Sequence, residues 1–127
     1  MNRTVLLIED NAQNRYLLTF LLEKQGYQVV SVPDGVRGIE VASTLAPLVI
    51  LLDIQLPVMD GYAVARALRL NQALRHTPII AVTSYAMPGD REKAMDAGCT
   101  GYIEKPIDPE TFVADMERGL RPVPGDA

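Results

Sequence analysis

Five short apolar runs alternate with longer segments of mixed polarity along the chain. The first four runs have the length of a strand, the fifth is shorter, and all are made largely of Val, Ile, Leu or Tyr, which are common in strands or in buried sheets. The runs are residues 5–8, 29–32, 48–52, 79–82 and 102–103. Because every intervening segment is long enough for a helix, the pattern predicts a strict alternation of strand and helix.

The first two intervening segments carry the periodicity and the end signals of helices. Residues 12–25 place four leucines on one face, with Asn11 as the predicted N-cap and Gly26 as the terminator. The segment 36–46 is predicted to end before Pro47, since proline cannot continue a helix.

The three later helices differ in the strength of their apolar faces. An apolar spacing of three and four residues starts at Gly61, with Asp60 as the predicted N-cap. Residues 90–97 contain only one clear apolar pair, so this helix is predicted to pack least firmly. The last helix is predicted to open with Asp108 as its cap and Pro109 in its first turn.

Alternating strands and helices with crossovers of this length predict a parallel sheet covered by helices on both faces. The first, third and fourth strands are continuously apolar and therefore central, whereas the second contains Gln28 and Ser31 and the fifth contains Thr100 and Gly101. With right-handed crossovers, edges two and five give the order 2-1-3-4-5. The predicted fold class is α/β, a doubly wound five-stranded parallel sheet in a flavodoxin-like (βα)5 sandwich.

Composition adds limits on the class of protein. A chain of 127 residues that is 48% apolar can fill one core, so residues 1–120 are predicted as one domain. The Pro- and Gly-containing residues 121–127 are predicted as a disordered tail or a linker stump. A net charge of −4 with scattered basic residues argues against a nucleic-acid surface.

The chain also lacks the sequence signals of export and membrane insertion. Its apolar runs are far shorter than the ~20 residues that a membrane span needs, and its first residues show no cleavage pattern of a signal peptide. One cysteine, Cys99, cannot form an internal disulfide. We therefore expect a cytoplasmic protein that contacts no membrane.

Ionisable and hydroxyl side chains gather where the predicted strands end. Glu9 and Asp10 follow the first strand, Asp53 the third, Thr83 the fourth and Lys105 the fifth. In this architecture ligands bind outside the carboxyl ends of the strands, at the switch point between strands one and three. Three carboxylates in one crevice must hold protons or a cation.

The residue types favour Mg²⁺ and phosphate chemistry. Oxygen ligands suit Mg²⁺, and one His with one Cys cannot build a soft-metal site. Lys105 offers a compact positive charge to a phosphoryl oxygen, and the Thr83 hydroxyl can donate a hydrogen bond to another. These neighbours indicate that Asp53 acts as a nucleophile toward phosphorus.

Five motifs in register at the strand ends resemble the receiver domain of two-component response regulators over essentially the whole chain. The likeness is greatest to stand-alone receivers of the cell-cycle type. The motifs are Glu9-Asp10, Asp53, Leu56-Pro57-Val58-Met59-Asp60-Gly61, Thr83 and Lys105-Pro106.

The resemblance implies that Asp53 accepts a phosphoryl group from a phosphohistidine on a sensor histidine kinase or a histidine phosphotransfer protein. It also implies that Asp10 and Asp53 ligate Mg²⁺, that Glu9 holds the ion through water, and that the backbone carbonyl of Gln55 is the remaining ligand supplied by the protein. On this interpretation the chain is a phosphoacceptor signalling domain that catalyses its own phosphorylation and slow dephosphorylation, and not an enzyme.

The resemblance further assigns the switch. Thr83 and Lys105 would bind the phosphoryl oxygens, and Tyr102 matches the aromatic switch position. The bond between Lys105 and Pro106 would be cis. The face formed by helix four, strand five and helix five would bind a downstream protein, and phosphorylation-dependent dimerisation is compatible with the resemblance. Side chains two residues past Asp53 and Thr83, which are Gln55 and Tyr85, would influence the hydrolysis of the phosphoryl group.

Three alternatives to a phosphorylated receiver make different demands on the sequence. A flavin- or nucleotide-binding protein would need a Gly- or Ser/Thr-rich loop after strand one, where this chain has Glu9 and Asp10. A Mg²⁺-dependent aspartyl phosphohydrolase would place a second Asp where Gln55 stands and would need room for a cap domain. A non-phosphorylated pseudo-receiver that serves only as a binding module would lack a site residue. Asp60 is interpreted as a helix cap, and His76 as an exposed loop residue without a role.

Overall fold

The computed structural model describes residues 2–84 and 87–120, and within them five strands form one parallel sheet. The neighbouring strands are in the order β2-β1-β3-β4-β5, so the predicted fold class and order are confirmed. The strands are β1 (Thr4–Ile8), β2 (Gln28–Val32), β3 (Val49–Asp53), β4 (Ile79–Thr83) and β5 (Gly101–Glu104).

Helices follow each of the five strands, and a short 3₁₀ helix precedes β4. The end signals read from the sequence act as expected at two helices, because Asn11 accepts a hydrogen bond from the N–H of Asn14 and Asp60 accepts one from the N–H of Ala63. The helices are α1 (Ala12–Lys24), α2 (Gly35–Leu45), α3 (Gly61–Arg69), the 3₁₀ helix (Gln72–Leu74), α4 (Asp90–Ala97) and α5 (Phe112–Arg118).

The predicted start of the last helix is wrong. The helix begins at Phe112, and the side chain of Asp108 accepts a hydrogen bond from the N–H of Glu110 at 2.9 Å instead of capping a helix. An aspartate that bonds the N–H two residues later closes a local turn, and this turn competes with helix formation. Asp108 and Pro109 therefore lie in a turn before the helix.

Alternate residues of the central strands fill two separate cores. On one face of the sheet Leu6 and Ile8 of β1 pack with buried residues of α2, α3 and α4, and on the other face Val5 and Leu7 pack with buried residues of α1 and α5. This is the alternation that a strand imposes when helices cover both faces of its sheet. The cores leave polar side chains to the ends of the strands.

Helix α4 has few side chains that hold it to the sheet. Its buried residues are Ala94 and Ala97, and its N-cap residue is Gly89, which has no side chain to cap the helix. The structure thus agrees with the weak apolar face that the sequence predicts for this helix.

Two predictions concern residues outside the described part of the chain. The tail 121–127 and the side chain of Tyr85 both lie there, so the predictions made for them stay predictions. Among the described residues, the helices are too short or too polar for any of them to cross a membrane.

Candidate functional site at the carboxyl end of the sheet

Parallel pairing brings the ends of four strands to the same edge of the sheet. In the strand registers Ile8 lies opposite Leu52, and Asp53 lies opposite Val82, one residue before Thr83. Because the strands run in one direction, the residues that follow them emerge side by side. The edge is therefore where the side chains singled out from the sequence meet.

Three carboxylates form a tight cluster at this edge. One carboxylate oxygen each of Glu9, Asp10 and Asp53 lies within 4.8 Å of the others. Glu9 and Asp53 are buried, with 1% and 4% of their surface exposed, whereas Asp10 is exposed. Burying two carboxyl groups side by side is unfavourable unless other groups balance their charge.

Lys105 supplies one balancing charge. Its Nζ donates to Glu9 Oε1 at 2.8 Å and lies 3.6 Å from Asp53 Oδ2. The lysine directly follows β5, the edge strand, and its bond to Pro106 is cis, as the resemblance implies. One ammonium group cannot balance three carboxylates, so the cluster keeps a net negative charge when all of them are ionised.

The crowding changes the acidity of the buried pair. Burial, followed by the hydrogen bond and the charge of Glu9, raises the pKa of Asp53 to about 7. Burial also raises the pKa of Glu9, but its hydrogen bonds with Asp53 and Lys105 outweigh this effect, and the net pKa lies below the ordinary value. The two shifts run in opposite directions, so a proton shared by this pair resides on Asp53 in preference to Glu9.

This donor set fits Mg²⁺. Within the described residues the cluster offers oxygen ligands only, and the two buried carboxylates face a third that is open to solvent. A hard cation would offset the burial and the repulsion that raise the pKa of Asp53, and Mg²⁺ prefers a few carboxylates together with waters and phosphate oxygens.

Two further residues hold the loops that carry the cluster. Arg15, on α1, donates through one nitrogen to the backbone carbonyls of Glu9 at 2.8 Å and Asp10 at 3.0 Å. The backbone N–H of Gln55 donates to Asp53 Oδ1 at 2.9 Å. No sequence signal predicts the contacts of Arg15, because an arginine on the first turns of a helix is most often a solvated side chain.

Thr83 lies on the β4 side of the cluster and is buried, with 2% of its surface exposed. The side-chain nitrogen Nε2 of Gln55 donates to Thr83 Oγ1 at 2.5 Å, and the Oε1 atom of Gln55 accepts from the N–H of Ser84 at 3.0 Å. Sequence reasoning considered the Gln55 side chain only for its position in the family and missed this link between β3 and β4.

Tyr102, Asp60 and His76 lie where the sequence interpretation places them. Tyr102 is half-buried on β5, and the guanidinium of Arg91 lies 5.7 Å from the centre of its ring. Asp60 is bound to the start of α3, and His76 is exposed in the segment before β4.

Comparison with known proteins gives one consistent result. A sequence model of the response regulator receiver domain matches residues 5–117. The polar-differentiation response regulator DivK of Brucella ovis is 39% identical over 127 residues, and the alignment covers 100% of both proteins. The chemotaxis protein CheY4 of Vibrio cholerae is 29% identical, with a TM-score of 0.89 and coverage of 93% of this chain and 98% of that one.

A further similar structure contains a metal ion. The receiver domain of the sensor histidine kinase PA1611 of Pseudomonas aeruginosa is 35% identical, with a TM-score of 0.85 and coverage of 94% of this chain and 98% of that one. Its structure has a magnesium ion coordinated in the active site cleft.

Proposed function

Because the chain belongs to the response regulator receiver domain family, we propose that Asp53 accepts a phosphoryl group from a phosphohistidine on a sensor histidine kinase or a histidine phosphotransfer protein. The observation that carries this proposal is the pairing of the buried Asp53 carboxylate with Glu9 and Lys105. Such an arrangement has no evident use in stability, since buried charges with incomplete compensation are unfavourable. It suits a site that becomes complete when a cation and a phosphoryl group enter.

The transfer forms one bond and breaks one. A carboxylate oxygen of Asp53 attacks phosphorus, the bond between phosphorus and the donor imidazole nitrogen breaks, and the electron pair of that bond stays on the imidazole, which becomes neutral or takes a proton from water. The attacking carboxylate must be ionised. Lys105, close to Asp53 Oδ2, favours the ionised form and can follow the negative charge onto a phosphoryl oxygen.

The proposed ligand roles are those that membership of the family implies, and the clustering of the Glu9, Asp10 and Asp53 carboxylates supports them. Asp10, Asp53 and the backbone carbonyl of Gln55 would hold Mg²⁺ directly, Glu9 would hold it through water, and the bound ion would neutralise charge on the phosphoryl oxygens. Arg15 steadies the backbone of Glu9 and Asp10, so that the two acidic side chains stay at the same edge. Position and charge thus supply most of the catalysis of this self-phosphorylation.

Phosphorylation would act as a switch of protein–protein contacts. Thr83 would move toward a phosphoryl oxygen and Tyr102 would turn inward, which shifts the surface of α4, β5 and α5 toward a form that a downstream protein binds. The weak attachment of α4, through Ala94 and Ala97, supports movement there. Amide exchange in α4 that is the same before and after phosphorylation would contradict this switch.

The proposed partners, location and turnover of the protein follow from this role as a switch. Binding partners are proteins, in the cytoplasm, and dimerisation on phosphorylation is compatible with the proposal. Water slowly hydrolyses the phosphoryl group from Asp53 and regenerates the free carboxylate, and the chain turns over no external substrate in this proposal.

Intact-mass measurement after incubation with acetyl phosphate tests the proposal. In the presence of Mg²⁺ the parent protein and a control variant, Asp60→Asn, should each gain the mass of one phosphoryl group, whereas Asp53→Asn should gain none. Asparagine caps a helix as well as aspartate does, so the control keeps α3 intact. A parent protein that gains no mass, or an Asp53→Asn variant that gains as much as the parent, would refute the proposal.

A further inference from the structure

Gln55 links the carboxyl ends of β3 and β4 through its side chain. Its nitrogen Nε2 donates to Thr83 Oγ1, and its oxygen Oε1 accepts from the backbone N–H of Ser84. The orientation of the amide is determined by Ser84, because a backbone N–H can only donate and must face the amide oxygen. Both polar atoms of the half-buried side chain are thus engaged across the two strands.

The same residue contacts the proposed phosphoacceptor through its main chain. The N–H of Gln55 donates to Asp53 Oδ1, two residues before it. Gln55 therefore contacts Asp53 on one side and both Thr83 and Ser84 on the other. A movement of Thr83 that takes Oγ1 out of reach of Gln55 Nε2 would break the bond that joins them.

We propose that Gln55 is a positioning residue that holds Thr83 and Ser84 in their resting positions, and that this link opposes the movement of Thr83 toward a phosphoryl group on Asp53. The inference rests on the proposed function, and it names the contact that restrains the switch before phosphorylation.

The physical consequence is a low population of the displaced state. In the displaced state that we propose, the Thr83 hydroxyl donates to a phosphoryl oxygen, and its oxygen no longer accepts from the Gln55 amide. Ser84 is the next residue along the chain, so its bond to Gln55 resists the same movement. When the displaced state is rare, a ligand that needs it binds with a correspondingly reduced apparent affinity.

Two variants separate the hydrogen bonds from the size of the side chain. Gln55→Met keeps the length of the side chain without its hydrogen bonds, and Gln55→Asn keeps the amide but is one methylene too short to span both partners. Gln28→Met, at an exposed glutamine on β2, is the control. If the methionine variant fails to fold, the asparagine variant carries the test.

Two readouts are measured on each protein. In the unmodified state, hydrogen exchange at the Ser84 amide should be about 3- to 10-fold faster in both Gln55 variants than in the parent, the range expected for loss of a typical hydrogen bond. With Mg²⁺ present, the concentration of beryllium fluoride, a phosphoryl mimic, that half-saturates the protein should fall by a similar factor. The Gln28 variant should match the parent in both.

Unchanged Ser84 exchange in both Gln55 variants, or a half-saturating concentration that stays the same or rises, would overturn the inference. A parent protein that binds no beryllium fluoride would instead refute the proposed function. The two failures are therefore distinguishable.

Discussion

Replacement of Asp53 by asparagine should make the cation-free protein more stable. The change removes one negative charge from a buried cluster in which Glu9 lies beside Asp53 and, among the residues that the structure describes, Lys105 supplies the salt bridges to both. Asparagine keeps an oxygen that can accept from the N–H of Gln55, so the loop loses no backbone contact. The residue that we assign to chemistry is thus one that the fold holds at a cost in stability.

The magnitude follows from the acidity of Asp53. Its pKa rises from 3.8 to about 7, and a difference of about three pKa units corresponds to roughly 4 kcal/mol when the folded state must ionise the group. Relaxation and water entry reduce such penalties in real proteins. We therefore expect the Asp53→Asn variant to gain about 1–2 kcal/mol at pH 8, or roughly 4–8 °C in melting temperature.

The sign of the pH dependence is a separate check. Because the folded state binds the Asp53 proton more tightly than the unfolded state does, the parent should lose stability as the pH rises from about 4 to about 7 and should then level off. The lowered pKa of Glu9 changes the stability only at pH values below 4.5, the ordinary pKa of the group. The advantage of Asp53→Asn should accordingly be small at pH 5 and large at pH 8.

Thermal unfolding followed by circular dichroism, in buffer with a chelator, measures both effects. Asp60→Asn is the matched control, since it also removes one carboxylate but at an exposed helix cap, and its melting temperature should equal that of the parent at both pH values. Mg²⁺ at 100 times the parent's dissociation constant should stabilise the parent by about 2.7 kcal/mol and Asp53→Asn by no more than about 1.4 kcal/mol, because the variant binds the ion at least about tenfold more weakly. An Asp53→Asn variant that melts below the parent at pH 8 would refute the reasoning.

Three other predictions test local features of the fold. Val58→Asn should raise the free energy of unfolding in urea by about 1 kcal/mol, because Val58 is fully exposed at a φ of 67° that asparagine tolerates better; an unchanged urea midpoint would count against strain there. Gly61→Ala should lower the melting temperature and reduce the free energy of unfolding by about 1–3 kcal/mol, because a Cβ would lie 2.6 Å from the Cα of Ile54 and 2.7 Å from the carbonyl oxygen of Asp53. A melting temperature equal to that of the parent would show that the loop can shift freely. Cys99 is buried and burial raises the pKa of its thiol to about 11, so a thiol reagent at pH 8 should react slowly with the folded protein and faster as urea is added; fast labelling without urea would contradict this burial.

The arrangement of the sheet could be predicted because its signals are local and strong. Continuous apolar runs mark strands that are buried on both faces, and the polar residues Gln28 and Ser31 mark an edge. Once the order of the strands is known, their parallel direction alone brings Glu9, Asp53 and Thr83 to the carboxyl end of the sheet. Most of the candidate site therefore follows from the topology.

The details that failed or were missed depend on choices the sequence leaves open. The carboxylate of Asp108 can accept a hydrogen bond as a helix cap or as part of a turn, and the sequence does not distinguish the two. In the structure it accepts from the N–H of Glu110 and closes a turn. The link from Gln55 to Thr83 joins residues 28 positions apart and depends on a rotamer. Val58 adopts a positive φ with no glycine or asparagine to signal it.

A calorimetric titration with Mg²⁺ tests the central claim, that carboxylates from separate strands are close enough to share one cation. The parent and Asp60→Asn should each show one binding event with the same affinity at pH 8. Asp53→Asn should bind Mg²⁺ at least about tenfold more weakly, because it loses one directly coordinating carboxylate; a tenfold loss of affinity corresponds to about 1.4 kcal/mol of binding free energy. No binding by the parent, or equal binding by Asp53→Asn, would contradict the account.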